Sequence, residues 1–459
     1  MHATMTGPAE TDGRPENDTE QAWPSPKLAW LAVSIFAFSL MFLELDRGIL
    51  TLLIQPIKED LQLTDMQMSY LLGFSTVLFY ALVGLPMSRL VDIYPRNIVL
   101  SLGVMVLSTF TTLCGVIQNY WQFFACRVMI GAGGTVNGPG TYSMIADYFP
   151  PHKLPRAIAV LQIGFFGGLG LSLIGGGALV NLALSWPDMQ VPWIGLIHNW
   201  QFVFLIIGVP GVLVALLVRM VPEPPRRGTM QAAGHKPMPI KQVFRELSNR
   251  RGVYVPMFIG LALSSVEMFG IGTWRAAFIQ REYGWSPGQI GLWSGLSALI
   301  TAPPGLLLGT WLTEKLAKRH ADAPLRAVVI VAALAIPFSV LSPLMPTPEL
   351  CILMFSISSV FGTAGSIPQN AALQTVTPNE MRGQVTALYL FMFTVVGGGM
   401  GATFLTLVSH LLGGEHMLGR AMSVSALVVL TLSTLVLSFA LRPYAREMAS
   451  RRMKAAAAA

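Results

Sequence analysis

Charged side chains are scarce in this chain. Asp, Glu, Lys and Arg together make 12% of its 459 residues, about half the ~25% usual for a soluble domain. That excludes a body covered all round by polar surface. Cysteine is scarcer still: Cys114, Cys126 and Cys351 lie in apolar segments at no paired spacing, so neither a disulfide framework nor a zinc cluster is expected. The histidines are scattered, mostly in loops, without ligand spacing. A Walker phosphate loop is missing, which argues against ATP-driven pumping by this chain. No cofactor and no metal are expected. Residues 1–26 are polar and acidic, lack the basic and apolar regions of a secretory signal, and read as a disordered cytoplasmic tail.

What is abundant is apolar sequence, 53% of residues, with a mean hydropathy of +0.58. It gathers into runs of the ~20 residues that a helix needs to cross ~30 Å of hydrocarbon. The runs are too continuous for barrel strands. The expected fold is all-α and membrane-integral, with twelve transmembrane helices: 28–57, 66–91, 97–117, 121–149, 154–184, 200–220, 252–281, 288–317, 323–345, 348–375, 379–412 and 416–441. A Pro-rich, basic linker at 221–251 separates spans six and seven. Its Ile240, Val243, Phe244 and Leu247 fall on one helical stripe, beside Lys241, Arg245, Arg250 and Arg251. That pattern suggests a helix on the membrane surface; a solvated linker helix is the competing reading. With both termini cytoplasmic, the outer loops carry only Lys58, Arg281 and Arg420, and the remaining loop Lys and Arg fall inside, including the basic tail at 442–459. This asymmetry sets the orientation and accounts for the net charge of +7 without a nucleic-acid partner; the expected location is a bacterial inner membrane.

An internal repeat divides the spans. TDMQMSYLLG (64–73) aligns with SPGQIGLWSG (286–295), bringing Gln67 to Gln289 and Gly73 to Gly295 at an offset of 222. The same offset carries Asp92 to Glu314 and Arg96 to Lys318. Two pseudo-symmetric six-helix bundles follow, 27–220 and 252–441, with a site expected at their interface near the bilayer midplane. Glycine runs at 164–170, 175–177 and 397–401 permit close helix approach and bending.

These features together resemble the major facilitator superfamily, over about 28–441. SRLVDIYPRN (88–97) is similar to that superfamily's loop 2–3 motif, with Asp92 and Arg96 retained and Ser88, Ile93 and Pro95 departing from it. Arg127, Gly131, Gly133 and Pro139 resemble its span-four motif. LDRGILTLLIQPIKEDLQLTDMQMSYLLGF and TPNEMRGQVTALYLF resemble the bacterial Spinster-like group. The resemblance implies a monomeric secondary transporter. It also implies lysolipid or sphingoid-phosphate substrates in animal members and mostly unassigned bacterial ones. The Asp–Arg pair of span one is also similar to that of organic-anion:cation symporters. The group's span four carries a Glu seven residues after its Arg; here that position is Gly134.

The chemistry-bearing stretch is FLELDRGIL (42–50), which sets Glu44, Asp46 and Arg47 inside an apolar run. Each such charge costs about 2.5–3.5 kcal/mol on insertion scales, so these groups face the bundle interior and pair. Glu44 and Arg47, three apart, meet on one helix face; Asp46 points elsewhere, and Arg127 is its candidate partner. At about 1.5 Å per residue, Glu44 and Gly134 come out at similar depth, roughly 20 Å from the outer surface. This suggests that Glu44 supplies the acid missing from span four. Asp46, Glu44 and Glu267 are expected to couple protons. Arg47, Arg127, Trp274, Tyr80, Tyr142 and Asn370 are expected to contact an anionic or amphipathic substrate. Asp92, Arg96, Asp147, Arg156, Glu314 and Arg382 sit at cytoplasmic ends, where the resemblance implies an inner gate holding the outward-facing state. The competing reading of the cluster is a permanent salt bridge that aids packing. Of the whole chain, the competing readings are a transporter-shaped receptor or, further off, a membrane transferase. No catalytic constellation stands out, so an enzyme is not expected.

Overall fold

The computed structural model describes residues 23–75, 77, 90, 93–150, 152–193, 195–226, 239–378 and 381–458. Tyr80, Asp92 and most of the N-terminal tail lie outside the described residues. The chain forms α1 (Pro26–Leu52), α2 (Ile54–Asp60), α3 (Asp65–Ser69), α4 (Arg96–Cys114), α5 (Tyr120–Gly134), α6 (Asn137–Tyr148) and α7 (Leu154–Ala183). A short antiparallel hairpin, β1 (Met189–Val191) and β2 (Gly195–Ile197), precedes α8 (Gln201–Met220) and α9 (Ile240–Asn249). Then come α10 (Arg251–Tyr283), α11 (Pro287–Ala317), α12 (Ala323–Leu341), α13 (Pro348–Val376), α14 (Arg382–Met392), α15 (Gly399–Leu411) and α16 (Leu418–Ala458).

Ten helices among the described residues are long and apolar enough to cross a bilayer. The second and fourth spans complete the twelve-helix, two-bundle fold. Part of the second lies outside the described residues; the fourth is divided at Thr135–Val136 into α5 and α6. We name the two ends by the orientation that the Lys and Arg distribution sets, cytoplasmic for the end bearing both termini and external for the other. The hairpin, at the external end, is a β element the hydropathy pattern did not anticipate.

The internal repeat has an atomic basis. Thr64 and Ser286 each cap the helix they precede, accepting from the backbone N–H of Gln67 and Gln289, whose side chains return the bond. Nine residues on from each cap, Gly73 and Gly295 lie at matching crossings between the halves. A Cβ on Gly73 would stand 2.6 Å from the Gly398 carbonyl oxygen, and one on Gly295 would strike that of Gly170. The Gly73 crossing joins two π-helical turns, Tyr70–Phe74 and Phe393–Gly398. Such turns are local departures from α geometry frequent at functional sites. Gly295→Val is therefore expected to separate the halves and cost about 1–3 kcal/mol of overpacking. A lowered thermal midpoint in detergent, against an unchanged one for Gly362→Ala, where an added Cβ meets nothing, checks this.

The linker helix packs part of its apolar stripe on protein. Val243 and Leu247 of α9 turn inward onto Val253, Tyr254 and Met257 of the C-terminal bundle, and of the stripe's described side chains only Phe244 is exposed. Arg250 joins Glu246 and Glu447, and so ties α9 to α16. Part of the apolar stripe is thus consumed by packing on protein rather than lipid. Ile240's side chain lies outside the described set.

Candidate functional site

Both acids of the first span are withdrawn from lipid. Glu44 is 4% and Asp46 3% exposed. Two residues apart on a helix, they point in different directions and find different partners. Glu44 Oε1 accepts from Arg47 Nη1 at 3.0 Å, and the Arg47 side chain is 55% exposed. Asp46 faces α5 and α4: its Oδ2 accepts from Arg127 Nη1 at 3.2 Å and its Oδ1 from the Thr111 hydroxyl at 3.1 Å. Arg127 is itself 3% exposed, and its Nε is buried without a partner. The pair is therefore a single hydrogen bond rather than a closed two-pronged fork.

Gly134 faces α1, where an added Cβ would lie 3.8 Å from Leu43 Cδ1. The matching depth of Glu44 and Gly134 therefore corresponds to adjacent positions, but the side chain opposite the glycine is Leu43. In the second half, Glu267 of α10 accepts from Ser339 at 3.0 Å, and Ser339 bonds Ser358 at 2.6 Å. No basic side chain pairs with Glu267 among the described residues. Tyr142 is exposed and donates to Gln162 at 2.8 Å. Asn370 is exposed and donates to the Ser366 carbonyl.

Two sets of expected site residues are engaged elsewhere in this conformation. Trp274 does not line a cavity in this conformation: it is 0% exposed and sits in the core, with Arg281 stacked over its ring at 5.5 Å. Nor, among the described residues, do those expected at the cytoplasmic gate make an ion pair across the halves in this conformation. Arg96 bonds Asp147 and Glu223 inside the N-terminal bundle and its adjoining linker. Arg156, Glu314 and Arg382 are exposed and make no ion pair with a described residue. The reason is conformational, because the halves are joined at the opposite end.

Cross-half pairs cluster at the external end. Arg281 of α10 donates to both carboxylate oxygens of Asp65 at 2.7 Å and to Gln55 Oε1 at 2.6 and 2.8 Å. Lys58 reaches Asp65 at 2.7 Å and also Glu415. Glu415 in turn accepts from the Asp65 backbone N–H at 2.8 Å. One turn deeper, Ser69 bonds the Thr406 hydroxyl at 3.0 Å and the Ala402 carbonyl. Burial alone would push the Asp65 carboxyl up, but Arg281 and Lys58 outweigh it and hold it below its usual value of 3.8. These residues were missed because positions 58, 65, 281 and 415 share no local pattern. One signal did exist: Lys58 and Arg281 are two of the three external exceptions to the basic asymmetry.

Comparison with known proteins agrees with this architecture. The family described as Major Facilitator Superfamily matches residues 36–402. An "MFS-type efflux pump" of Mycolicibacterium smegmatis is 28% identical over 402 residues, covering 86% of this chain and 89% of its own. The "Protein spinster" of Drosophila melanogaster is 20% identical over 301 residues, covering 64% of this chain and 47% of its own. Among solved structures, a bacterial homologue of the human lysosomal transporter Spinster, inward-facing and unoccupied, superposes with a TM-score of 0.74 at 23% identity, covering 93% of this chain and 98% of that one. A D-xylose–proton symporter does so with 0.62 at 15% identity, covering 88% and 97%.

Proposed function

The chain belongs to the major facilitator superfamily, and on that premise we propose that it is a proton-coupled carrier of a small organic anion or an amphipathic, lysolipid-like molecule. It works by alternating access in the bacterial inner membrane, with both termini cytoplasmic. The observation that carries this reading is the buried Asp46–Arg127 pair with Arg47 beside it. A buried pair kept only for packing is often no more stabilising than apolar side chains of similar volume. This one is also incompletely bonded, with Arg127 Nε unpartnered, as suits a pair that exchanges partners during a cycle.

The roles follow from the contacts. A proton on Asp46 neutralises the partner of Arg127 and releases the guanidinium, which then grips a carboxylate or phosphate. Arg47, tethered by Glu44 but half exposed, offers a second donor to the same anion. Glu267, hydrogen-bonded by a serine and without a cation, is the second proton acceptor. Tyr142 and Asn370 complete the polar contacts to substrate. The external network of Arg281, Asp65, Lys58 and Glu415 closes the site from outside. Entry from the cytoplasm, then opening outward, requires that network to break.

Asp46→Asn tests the reading. In proteoliposomes the wild type is expected to take up an organic anion or lysolipid faster under an imposed pH gradient. Asp46→Asn is expected to lose that acceleration and to keep exchange of substrate for substrate. An unchanged response to the gradient removes Asp46 from coupling. The missing acid at Gly134 favours a second reading, a receptor that holds its ligand without moving it. Binding without counterflow in the wild type would establish that instead.

A further inference from the structure

At the external end a cavity of about 500 Å³ lies beside α2 and the base of the hairpin, with Gln280 of α10 its contact from the other half, and is lined among others by Gln55, Glu59, Asp60, Asp188 and His198. Its lining carries three carboxylates and, besides His198, no basic side chain among the described residues. Both ring nitrogens of His198 are engaged: Nε2 is 2.9 Å from Asp60 Oδ1, and Nδ1 is 3.1 Å from Asp188 Oδ2. Each carboxylate has its other oxygen fixed by a donor that does not titrate. Asp60 Oδ2 accepts from Trp200 Nε1 at 3.0 Å, and Asp188 Oδ1 accepts from the Asn199 backbone N–H at 2.9 Å. A neutral imidazole has one N–H; only the imidazolium has two. Two acceptors held on opposite sides of one ring are therefore satisfied together only when the ring carries a proton. In the neutral ring, one nitrogen lone pair faces a carboxylate oxygen and that contact opens.

We propose that His198, Asp60 and Asp188 form an external proton-binding site whose occupation holds the external gate shut. Asp188 precedes β1 and His198 follows β2, so their contact clasps the base of the hairpin. Asp60 is the last residue of α2, and α2 also carries Gln55 and Lys58, the N-terminal bundle's share of the gate. A proton on His198 joins the hairpin to α2 and steadies those two side chains against Arg281 and Glu415. The groups facing the ring are Asp60 and Asp188, with Glu59 of α2 on the same cavity; α10 contributes the neutral Gln280, and Leu184, just past the end of α7, is apolar. The His198 side chain is 31% exposed, which gives it direct exchange with external water. Asp65, held below 3.8, keeps its charge throughout the range in which histidines titrate, about pH 5 to 8, so it is no source of a response there. The proton site stands on its own geometry. Its action on the gate rests on the alternating-access reading above.

The test measures distances between spin labels at Gln62 and Leu412, across the external ends, from pH 5 to pH 8, with no substrate present. In the wild type the short-distance population is expected to fall about threefold between pH 5 and pH 8. His198→Gln, which cannot gain a charge, is expected to flatten the curve. Asp188→Asn, whose amide serves either ring tautomer, is expected to flatten it while keeping the hairpin clasped. An identical pH curve in His198→Gln overturns the proposal. A His198 ring that shows no protonation step in isotope-edited NMR of the full chain overturns the site itself. A ring that titrates while the distances stay constant overturns its link to the gate. Because the readout needs no substrate, these outcomes are separate from failure of transport.

Discussion

Arg127→Ala is expected to abolish transport and to cost stability by about 3–5 kcal/mol, the range for removing one member of a buried ion pair. Asp46, 3% exposed, would be left with the Thr111 hydroxyl as its one hydrogen-bond donor. The site must then take up a proton permanently, admit water, or open. Arg127→Lys keeps the charge but places an ammonium on a flexible stem where a planar fork stood, and is expected to retain the fold and lose most of the transport rate. The decisive comparison is the double variant Asp46→Asn, Arg127→Gln, which leaves two neutral groups able to bond each other. It is expected to regain most of the lost stability and none of the pH-gradient response. Uptake in proteoliposomes and thermal unfolding in detergent read the two quantities. A double variant with wild-type coupling would reduce the pair to a packing device.

Arg281→Ala is expected to shift the conformational equilibrium toward an open external end by about tenfold or more, which corresponds to about 1.4 kcal/mol. Arg281 alone supplies four of the hydrogen bonds across the halves, to Asp65 and Gln55. Its loss strands Asp65, which is 3% exposed, with Lys58 as sole cationic partner. Asp65→Asn is expected to act in the same direction and more weakly, since the amide still accepts one bond. The lowered Asp65 carboxyl sets the pH sense. Its contribution to closure is complete above the ordinary carboxylate value of 3.8 and is lost as pH falls through its depressed value in the closed state. At neutral pH the charged network is intact, so Asp65→Asn imitates at pH 7 what strong acid would do to the wild type. Spin-label distances at the external ends report the shift. An unchanged distribution in Arg281→Ala would show that the glycine crossings alone hold the end closed.

The two sets of charged residues differ in how far sequence reasoning reaches. Asp46 and Arg127 are conspicuous because each is an ionisable group inside an apolar run, and the cost of burying it compels a partner. Helical rise then narrows the partner by depth. The external gate had no such flag. Its members sit at span ends, where charges are ordinary. What marked Lys58 and Arg281 was that they stand on the side of the membrane that otherwise excludes basic residues. Arg96 and Asp147 show the converse limit. A motif at a cytoplasmic end suggests a gate between halves; with the external end closed, Arg96 instead bonds Asp147 of its own bundle and Glu223 of the adjoining linker. Trp274 illustrates a third limit: helical spacing places a side chain on a face but does not say whether that face meets a cavity or a wall.

From the order of its residues alone, the chain determines a twelve-span, two-fold repeated membrane protein with an ionisable centre in the first helix. Hydrophobic length, charge asymmetry and the repeated cap-and-glycine pattern are local or periodic properties, and they are written along the chain. Which end is shut, which cation meets which acid, and how His198 comes to lie between two carboxylates were decided only by the tertiary structure. Those pairings join residues between 10 and 357 positions apart, and their geometry depends on how two bundles lean together, a relation that no single segment carries.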